Sequence, residues 1–200
     1  MPNRNIFFDH PLPVTTQYGG VDTILNISPG IIIPFSMGTA NSLTLNTDAS
    51  GNSSNVIVIG SGKFSNSAFS LTEGSFNQTA NFLYSFIMPY DATLKNIYLS
   101  VNYSNSGDYT PPLDYIYTPY VAIATANANN TFTILTETIT PISQSFIGGT
   151  TYAGNTRITG SRENLGISIP AGTKVAIVAG YTGSPSTSGA FVFRGGLWLS

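Results

Sequence analysis

The clearest pattern in the sequence is an alternation of apolar and polar positions over residues 96–103. The apolar positions are Ile97, Leu99, Val101 and Tyr103, and the positions between them begin at Asn96. A period of two is typical of a β-strand that turns one face toward a core and the other toward solvent. We therefore predict a half-buried strand in this region.

Two other segments, residues 82–88 and 175–181, are apolar at odd and even positions alike. Such runs predict strands that are covered on both faces, either by a second sheet or by another subunit. This double burial favours an oligomer. Further strands are predicted at residues 30–35, 55–60, 116–126, 131–140, 157–169 and 190–199, and exposed loops at residues 50–55, 105–112 and 183–189.

No segment shows the 3.6-residue spacing of an amphipathic helix, and β-branched and aromatic residues far outnumber lysine and glutamate. Many short strands separated by turn residues are typical of two packed sheets. We predict an all-β, two-sheet jelly-roll sandwich that occupies residues 30–200 as a single domain, preceded by a connector arm at residues 1–29.

The arm combines large apolar side chains with prolines. Its apolar residues are Ile6, Phe7, Phe8, Leu12 and Val14. Pro2, Pro11 and Pro13 fix φ and remove backbone donors, so this stretch is predicted to form neither a central strand nor a stable helix. A segment this apolar that cannot join a sheet is typical of an arm that docks on a surface. Docking on another copy and folding back on its own head both stay open.

The composition is poor in charge. Charged residues make up 8% of the chain, against roughly 25% in an average globular domain, and the net charge is -2. Seven scattered lysines and arginines form no basic stripe, which disfavours nucleic acid and anionic membranes as partners. Weak repulsion between copies suits a self-assembling subunit, and the lack of cysteine means that packing alone must hold any assembly. Neither a secretory signal nor a membrane-spanning run is predicted.

Candidate catalytic residues are sparse. The one histidine, His10, lies in the arm beside Asp9, a poor place for the base of a Ser/His/Asp arrangement. The acids that could pair in space are Asp91, Asp108, Asp114, Glu137 and Glu163. A glycosidase pair among them is disfavoured but stays open. Residues 149–156 have the glycine spacing of a phosphate loop, but Asn155 stands at the lysine position. We predict no enzyme, no metal site and no cofactor.

Aromatic residues offer two interpretations. Those that could form a carbohydrate-binding face are Tyr98, Tyr109, Tyr115, Tyr117, Tyr120 and Trp198. Tyrosines on strands and at subunit contacts are common, however, and this is the stronger interpretation. Near the C-terminus, Phe191, Phe193 and Trp198 are predicted to lie either in the sheet core or at an interface within a trimer.

Four segments carry a resemblance to a known family. They are IIIPFSMG at residues 31–38, FIMPYDATL at residues 86–94, NTFT at residues 130–133 and IPAGTKVAIV at residues 169–178. In their order and spacing they resemble the C-terminal domains of collagen-like exosporium glycoproteins of spore-forming bacteria. The resemblance covers roughly residue 30 to the end. It implies a trimeric jelly roll, similar to the tumour-necrosis-factor and complement C1q heads, on the endospore surface.

The arm departs from that family, because no Gly-X-Y stalk precedes the domain. With its short aromatic and proline-rich arm, the chain is most similar to the main subunit of bacterial endospore appendage fibres. The resemblance then implies that N-terminal connectors join one trimer to the next, with a spore-surface anchor and a tip protein as further partners.

The prediction is a structural, self-assembling fibre subunit whose arm residues plug into the adjacent trimer. A head-to-tail contact that does not close generates an open filament, which makes this mechanism physically reasonable. The alternative is a carbohydrate-binding or adhesive head, such as a lectin or fibre tip. Because few groups titrate, polymer stability is predicted to change little at mild pH, and depolymerisation near about pH 6 would implicate His10.

Overall fold

The computed structural model describes residues 30–37, 43–60, 64–67, 74–77, 84–103, 107–126, 130–154 and 156–200. Over these ranges the chain is all-β and contains no helix, so no helix there could cross a membrane. Two curled antiparallel sheets pack face to face, as in a β-sandwich. The predicted all-β class is confirmed.

Fourteen strands lie within the described ranges. They are β1 (Ile31–Ser36), β2 (Leu43–Asn46), β3 (Val56–Ile59), β4 (Phe64–Ser67), β5 (Ser75–Asn77), β6 (Phe86–Ile87), β7 (Ala92–Tyr103), β8 (Ile116–Ala126), β9 (Thr131–Pro141), β10 (Phe146–Ile147), β11 (Ile158–Arg162), β12 (Ile167–Ile169), β13 (Lys174–Gly183) and β14 (Ser188–Leu199).

The first sheet has the order β1-β14-β7-β11, with β12 also paired to β7 and β2 to β14. The second sheet has the order β4-β3-β13-β8-β9-β5, with β10 also paired to β8 and β6 to β13. Each pairing within the two sheets is antiparallel. The long strands β7 and β14 form the centre of the first sheet, and β8 and β13 form the centre of the second.

The main core lies between the two sheets. The alternating apolar residues of β7 are all buried there, which confirms the half-buried strand predicted at residues 96–103. From the facing sheet, Val121 and Ile123 of β8 and Ile177 of β13 pack into the same core. Period-two patterning therefore places one face of each central strand in the core, as expected for sheet-on-sheet packing.

The strand predicted at residues 175–181 is β13, and both of its faces are buried. Val175 and Ile177 pack in the main core, while Ala176 and Val178 belong to a second cluster on the outer face of the second sheet. This burial arises within a single chain. The doubly apolar pattern therefore gives no evidence for an oligomer, contrary to the inference drawn from the sequence.

Several predicted strands differ from the structure. Double burial over residues 82–88 is wrong at Ile87, which is 62% exposed at the edge position beside β13. The strand predicted at residues 157–169 is two strands, β11 and β12. Asn164 and Gly166, between them, have positive φ angles of 58° and 70°, which an extended strand does not allow. The short strands β2, β4, β5 and β10 were not predicted.

The sandwich has two distinct ends. At the entry end, Gly30 lies against Trp198, β7 begins at Ala92 and β14 stops at Leu199. At the loop end, β7 stops and β8 begins, and the loops of residues 48–53, 107–115, 148–154 and 183–187 meet. The predicted arm, residues 1–29, lies outside the described residues, together with His10 and all five predicted docking side chains.

Candidate functional site: exposed apolar surfaces on the head

The outer face of the first sheet carries a groove of about 620 Å³. Its lining comprises Ile32, Tyr98, Leu99, Ser100, Ser143, residues 159–161, Gly195 and Gly196. Ile32 of β1 is 71% exposed and Tyr98 of β7 is 45% exposed, and they lie on either side of β14. Large apolar side chains left in water on a sheet face are typical of an interaction surface.

Two adjacent glycines of β14 create this groove. Gly196 points outward, where a methyl group would lie 3.3 Å from Ile32 Cγ2, an approach that is tight but not obstructed. Gly195 points inward, where a methyl group would overlap the Tyr98 carbonyl and the Phe35 ring. The floor of the groove is therefore backbone, and the missing side chains let Ile32 and Tyr98 stand above it.

Hydrogen bonds hold the Tyr98 ring in place. Asn96 Nδ2 donates to the Tyr98 hydroxyl at 2.8 Å, and Asn96 Oδ1 accepts from the backbone N–H of Asn164 at 3.1 Å. Asn96 and Tyr98 are two residues apart on β7, so both side chains project from the outer face. Anchoring the phenol tip leaves the ring face available as a wall of the groove.

Trp198 continues the apolar surface toward the entry end. Its side chain is 39% exposed, and its indole packs so closely on Gly30 that a Cβ there would overlap the ring nitrogen. The cross-strand partner of Trp198 is Ile32 on β1 and Asn96 on β7. Ile32, Tyr98 and Trp198 together form what we call the sheet-one face.

A second exposed apolar cluster lies at the loop end. Leu113 is 83% exposed, and Ile116 and Ile147 are each 47% exposed. Ile116 and Ile147 are direct cross-strand partners, and Leu113 extends over Gly149, two residues beyond Ile147. We call Leu113, Ile116 and Ile147 the loop-end platform.

The residues predicted from the sequence divide between core and surface. Phe191 and Phe193 are completely buried in the main core, so of the three predicted interface residues only Trp198 reaches the surface. The alternation of side chains along β14 could have predicted this. Phe191 and Phe193 are two residues apart and point inward, whereas Trp198 is at an alternate position and points outward. Ile32 and Leu113 were not predicted. A single leucine directly after Pro111 and Pro112, at the end of the loop predicted at residues 105–112, was a signal for Leu113.

Most of the predicted carbohydrate-binding aromatics are not available to a ligand. Tyr117 is buried in the core at the loop end, and Tyr109 and Tyr115 pack against that core. Tyr109 stacks on Tyr103 with ring centroids 3.7 Å apart. Burial raises the pKa of Tyr103 and Tyr117 well above the usual range of a phenol, since a phenolate would be poorly solvated there.

Tyr120 lies on the other side of the second sheet, away from the main core, and is 2% exposed. Its hydroxyl has no hydrogen bond in this structure. Desolvation raises the pKa of Tyr120, and the neighbouring Ser53 hydroxyl offsets this only in part. Ser53 Oγ donates its own hydrogen to the Asn55 carbonyl at 2.7 Å.

The candidate acids brace turns or lie in solvent. Asp91 accepts from the Ala171 N–H at 2.8 Å, and Asp108 accepts from the Gly154 N–H at 3.2 Å. Glu137 and Glu163 are exposed. Among the described residues, no three His, Asp or Glu side chains come together as a metal site would require. These contacts are structural ones, of the kind that turn-forming acids commonly make.

Comparison with known proteins leaves the family of this chain unidentified, since no protein-family model and no curated protein matches it.

Proposed function

We propose that this protein is a non-enzymatic structural subunit that assembles into a homotrimer and then into a fibre, joined head to tail by its N-terminal arms. The observation that carries the proposal is the sheet-one face, where three large apolar side chains stay exposed on a rigid sheet. The charge deficit of the sequence supports it as well. The endospore surface, with an anchor and a tip protein, is proposed from the sequence resemblance.

The strand order supports a jelly roll of the C1q and tumour-necrosis-factor type. Along the chain, β3, β7, β8, β11, β13 and β14 cross repeatedly between the sheets, so that β14 pairs with both β1 and β7, and β13 with both β3 and β8. Connections of this kind are typical of two interlocked Greek keys.

In this proposal the sheet-one face forms the contact around the three-fold axis. A closed three-fold contact uses one surface of each chain, which leaves the arm to make the second contact. Burial of Trp198, Ile32 and Tyr98 against a neighbour removes the area that is still exposed, which is 39%, 71% and 45% of each residue. Each therefore contributes less than the roughly 1.5–3 kcal/mol that complete burial of a large apolar side chain provides. Three such contacts per trimer act together.

The first test compares two tyrosines of equal exposure. Tyr98, on the sheet-one face, and Tyr90, away from it, are each 45% exposed. We expect the pair of substitutions Tyr98→Ser and Trp198→Ser to convert the trimer to a monomer in analytical ultracentrifugation, while Tyr90→Ser stays trimeric. A trimer that survives the first pair of substitutions contradicts the assigned face.

The second test concerns the polymer. Negative-stain microscopy of the purified protein should show filaments, and removal of residues 1–14 should leave isolated trimers. If the shortened protein still polymerises, the arm is not the connector. The apolar leader of the arm, residues 6–14, supplies the expected driving force. Phe7 and Phe8 can each contribute about 1.5–3 kcal/mol on burial.

A second candidate function is carbohydrate binding by the same groove. The observation that favours it is an aromatic wall, Tyr98, in a groove whose lining also includes the hydroxyl-bearing residues Ser100, Ser143, Thr159 and Ser161. Glycan-array binding that is lost in Tyr98→Ser, by a protein that forms no filaments, would favour this function over assembly.

A further inference from the structure

We propose that the loop-end platform, Leu113, Ile116 and Ile147, is the acceptor for the apolar arm of a second copy of this chain. This inference rests on the proposed fibre function and deepens it by assigning the surface that receives residues 6–14 of the neighbouring trimer. The platform is apolar, exposed and positioned at the end of the head where a head-to-tail joint requires it.

The backbone around the platform is well hydrogen-bonded. Gly148 N–H donates to the Tyr115 carbonyl at 2.7 Å, Gly149 N–H donates to the Pro111 carbonyl at 2.9 Å, and Ser184 N–H donates to the Ile116 carbonyl at 3.0 Å. The Tyr152 hydroxyl accepts from the Ile147 N–H at 2.8 Å. Backbone hydrogen bonds thus order these loops while the apolar side chains stay in solvent. A preordered surface binds with a smaller entropic cost.

The position of the platform gives the assembly a direction. The arm joins the head at the entry end, where Gly30 lies against Trp198, whereas the platform lies at the loop end. A donor at one end and an acceptor at the other produce an open filament. An acceptor at the entry end would instead join heads through the same ends and close the assembly.

The length of the arm permits this joint. From Leu12 to Gly30 an extended chain spans about 60 Å, at about 3.3 Å per residue. The head itself, measured along the twelve residues of β7, is about 36 Å long. The arm can therefore cross to a neighbour, and it is also long enough to reach its own platform, an alternative that the experiment must distinguish.

Cross-linking of the full-length chain tests the assignment. The protein has no cysteine, so Asn5→Cys and Thr150→Cys introduce the only thiols, beside the leader and beside the platform. Oxidation of the double variant should produce a ladder of linked chains on a denaturing gel. The matched control combines Asn5→Cys with Tyr90→Cys at the entry end, and each single-cysteine variant reports links between like positions.

Three results overturn the inference. A monomeric product with an internal disulfide means that the arm folds onto its own head. A ladder that forms through residue 90 and not through residue 150 places the acceptor at the entry end. If the wild-type protein forms no filaments, the proposed function fails as well, which microscopy of the unmodified protein reveals separately.

Substitution of the platform gives an independent readout. Leu113→Ser combined with Ile116→Thr and Ile147→Thr should raise the protein concentration needed for filament formation by about tenfold or more, because apolar burial at the joint is lost. The control Ile87→Thr, at 62% exposure, should leave that concentration unchanged. The variant should keep its trimer mass, and Leu113→Ser alone serves if the triple variant misfolds. Filaments at the wild-type concentration would overturn the assignment.

Discussion

The two sheets share one core, but their outer faces differ. The outer face of the second sheet is a buried apolar cluster, in which Ala122, Ala124, Ala176 and Val178 are fully inaccessible. The outer face of the first sheet leaves Ile32, Tyr98 and Trp198 in solvent around a groove. One face is completed within a single chain, and the other is left open.

This difference shows that apolar composition alone does not identify an interface. The second sheet has the more apolar outer face, yet it offers a partner little surface. The first sheet has a mixed face, and its exposed aromatic and aliphatic side chains are the ones that a partner can bury. Exposure in the folded chain is therefore the property to test.

The largest difference in stability should appear when the same charged side chain is placed on the outer face of each sheet in turn. Ala124→Asp buries a carboxylate among apolar neighbours of the second sheet, at a cost of several kcal/mol, and we expect loss of the cooperative thermal transition. The control Ser161→Asp introduces the same side chain at an exposed position of the first sheet and should fold normally. Equal behaviour of the two variants in circular dichroism would break the comparison.

Substitutions at the two adjacent glycines of β14 test the inner and the outer side of a single strand. Gly195→Ala should lower the free energy of unfolding by about 1–3 kcal/mol, because the methyl group meets the Phe35 ring and the Tyr98 carbonyl. Gly196→Ala should change it by less than about 1 kcal/mol, because the methyl group meets only the end of the exposed Ile32 side chain, at 3.3 Å, which can move aside. Urea denaturation measures both. A larger loss at Gly196 would mean that the groove is not open.

Alkaline pH should weaken the fold through its buried phenols. The folded-state pKa values of Tyr103, Tyr117, Tyr120 and Tyr181 are raised by burial. Above about pH 10 the unfolded chain loses these protons and the folded chain does not, so stability that is intact below pH 10 declines as the pH rises. Each phenol contributes at most about 1.4 kcal/mol per pH unit.

Phenolate absorbance and thermal unfolding measured on the same samples test this decline. Removing one titrating group by Tyr120→Phe should make the alkaline decline shallower. A stability that is flat up to pH 12 would show that these phenols ionise in the folded chain.

The smallest effect is expected from Tyr120→Phe at neutral pH. Because the buried Tyr120 hydroxyl has no hydrogen bond, its removal should leave stability unchanged or raise it by up to about 1 kcal/mol. The same change at Tyr98 removes an acceptor from Asn96 Nδ2 and should not stabilise the protein. A clear loss of stability in Tyr120→Phe would indicate a hydrogen bond formed by that hydroxyl in solution.

Much of the fold was accessible from the sequence. The period of two over residues 96–103 and the long apolar strands at residues 116–126 and 175–181 were predicted correctly, because alternation and burial follow directly from strand geometry. The division at Asn164 and Gly166 was missed, since a positive φ at asparagine is one of several conformations open to it. The two-residue strand β10 exists only through its pairing with β8.

The candidate site was much less accessible. The sequence indicated exposed aromatics, but Tyr117 and Tyr120 are buried and Tyr98 is not. Which of them reaches solvent depends on how the sheets and loops cover each strand, and that is a property of contacts far apart in the chain. The arm was predicted from its own composition, and its docking remains a prediction.

By itself, then, the amino-acid sequence determined the all-β class, the central strands and the shortage of charge, because local periodicity and composition are properties of short segments. Only the tertiary structure decided that the second sheet closes its outer face within one chain and that Ile32, Tyr98, Trp198 and Leu113 stay exposed. The physical reason is that burial is set by long-range packing, which brings together strands as distant as β1 and β14.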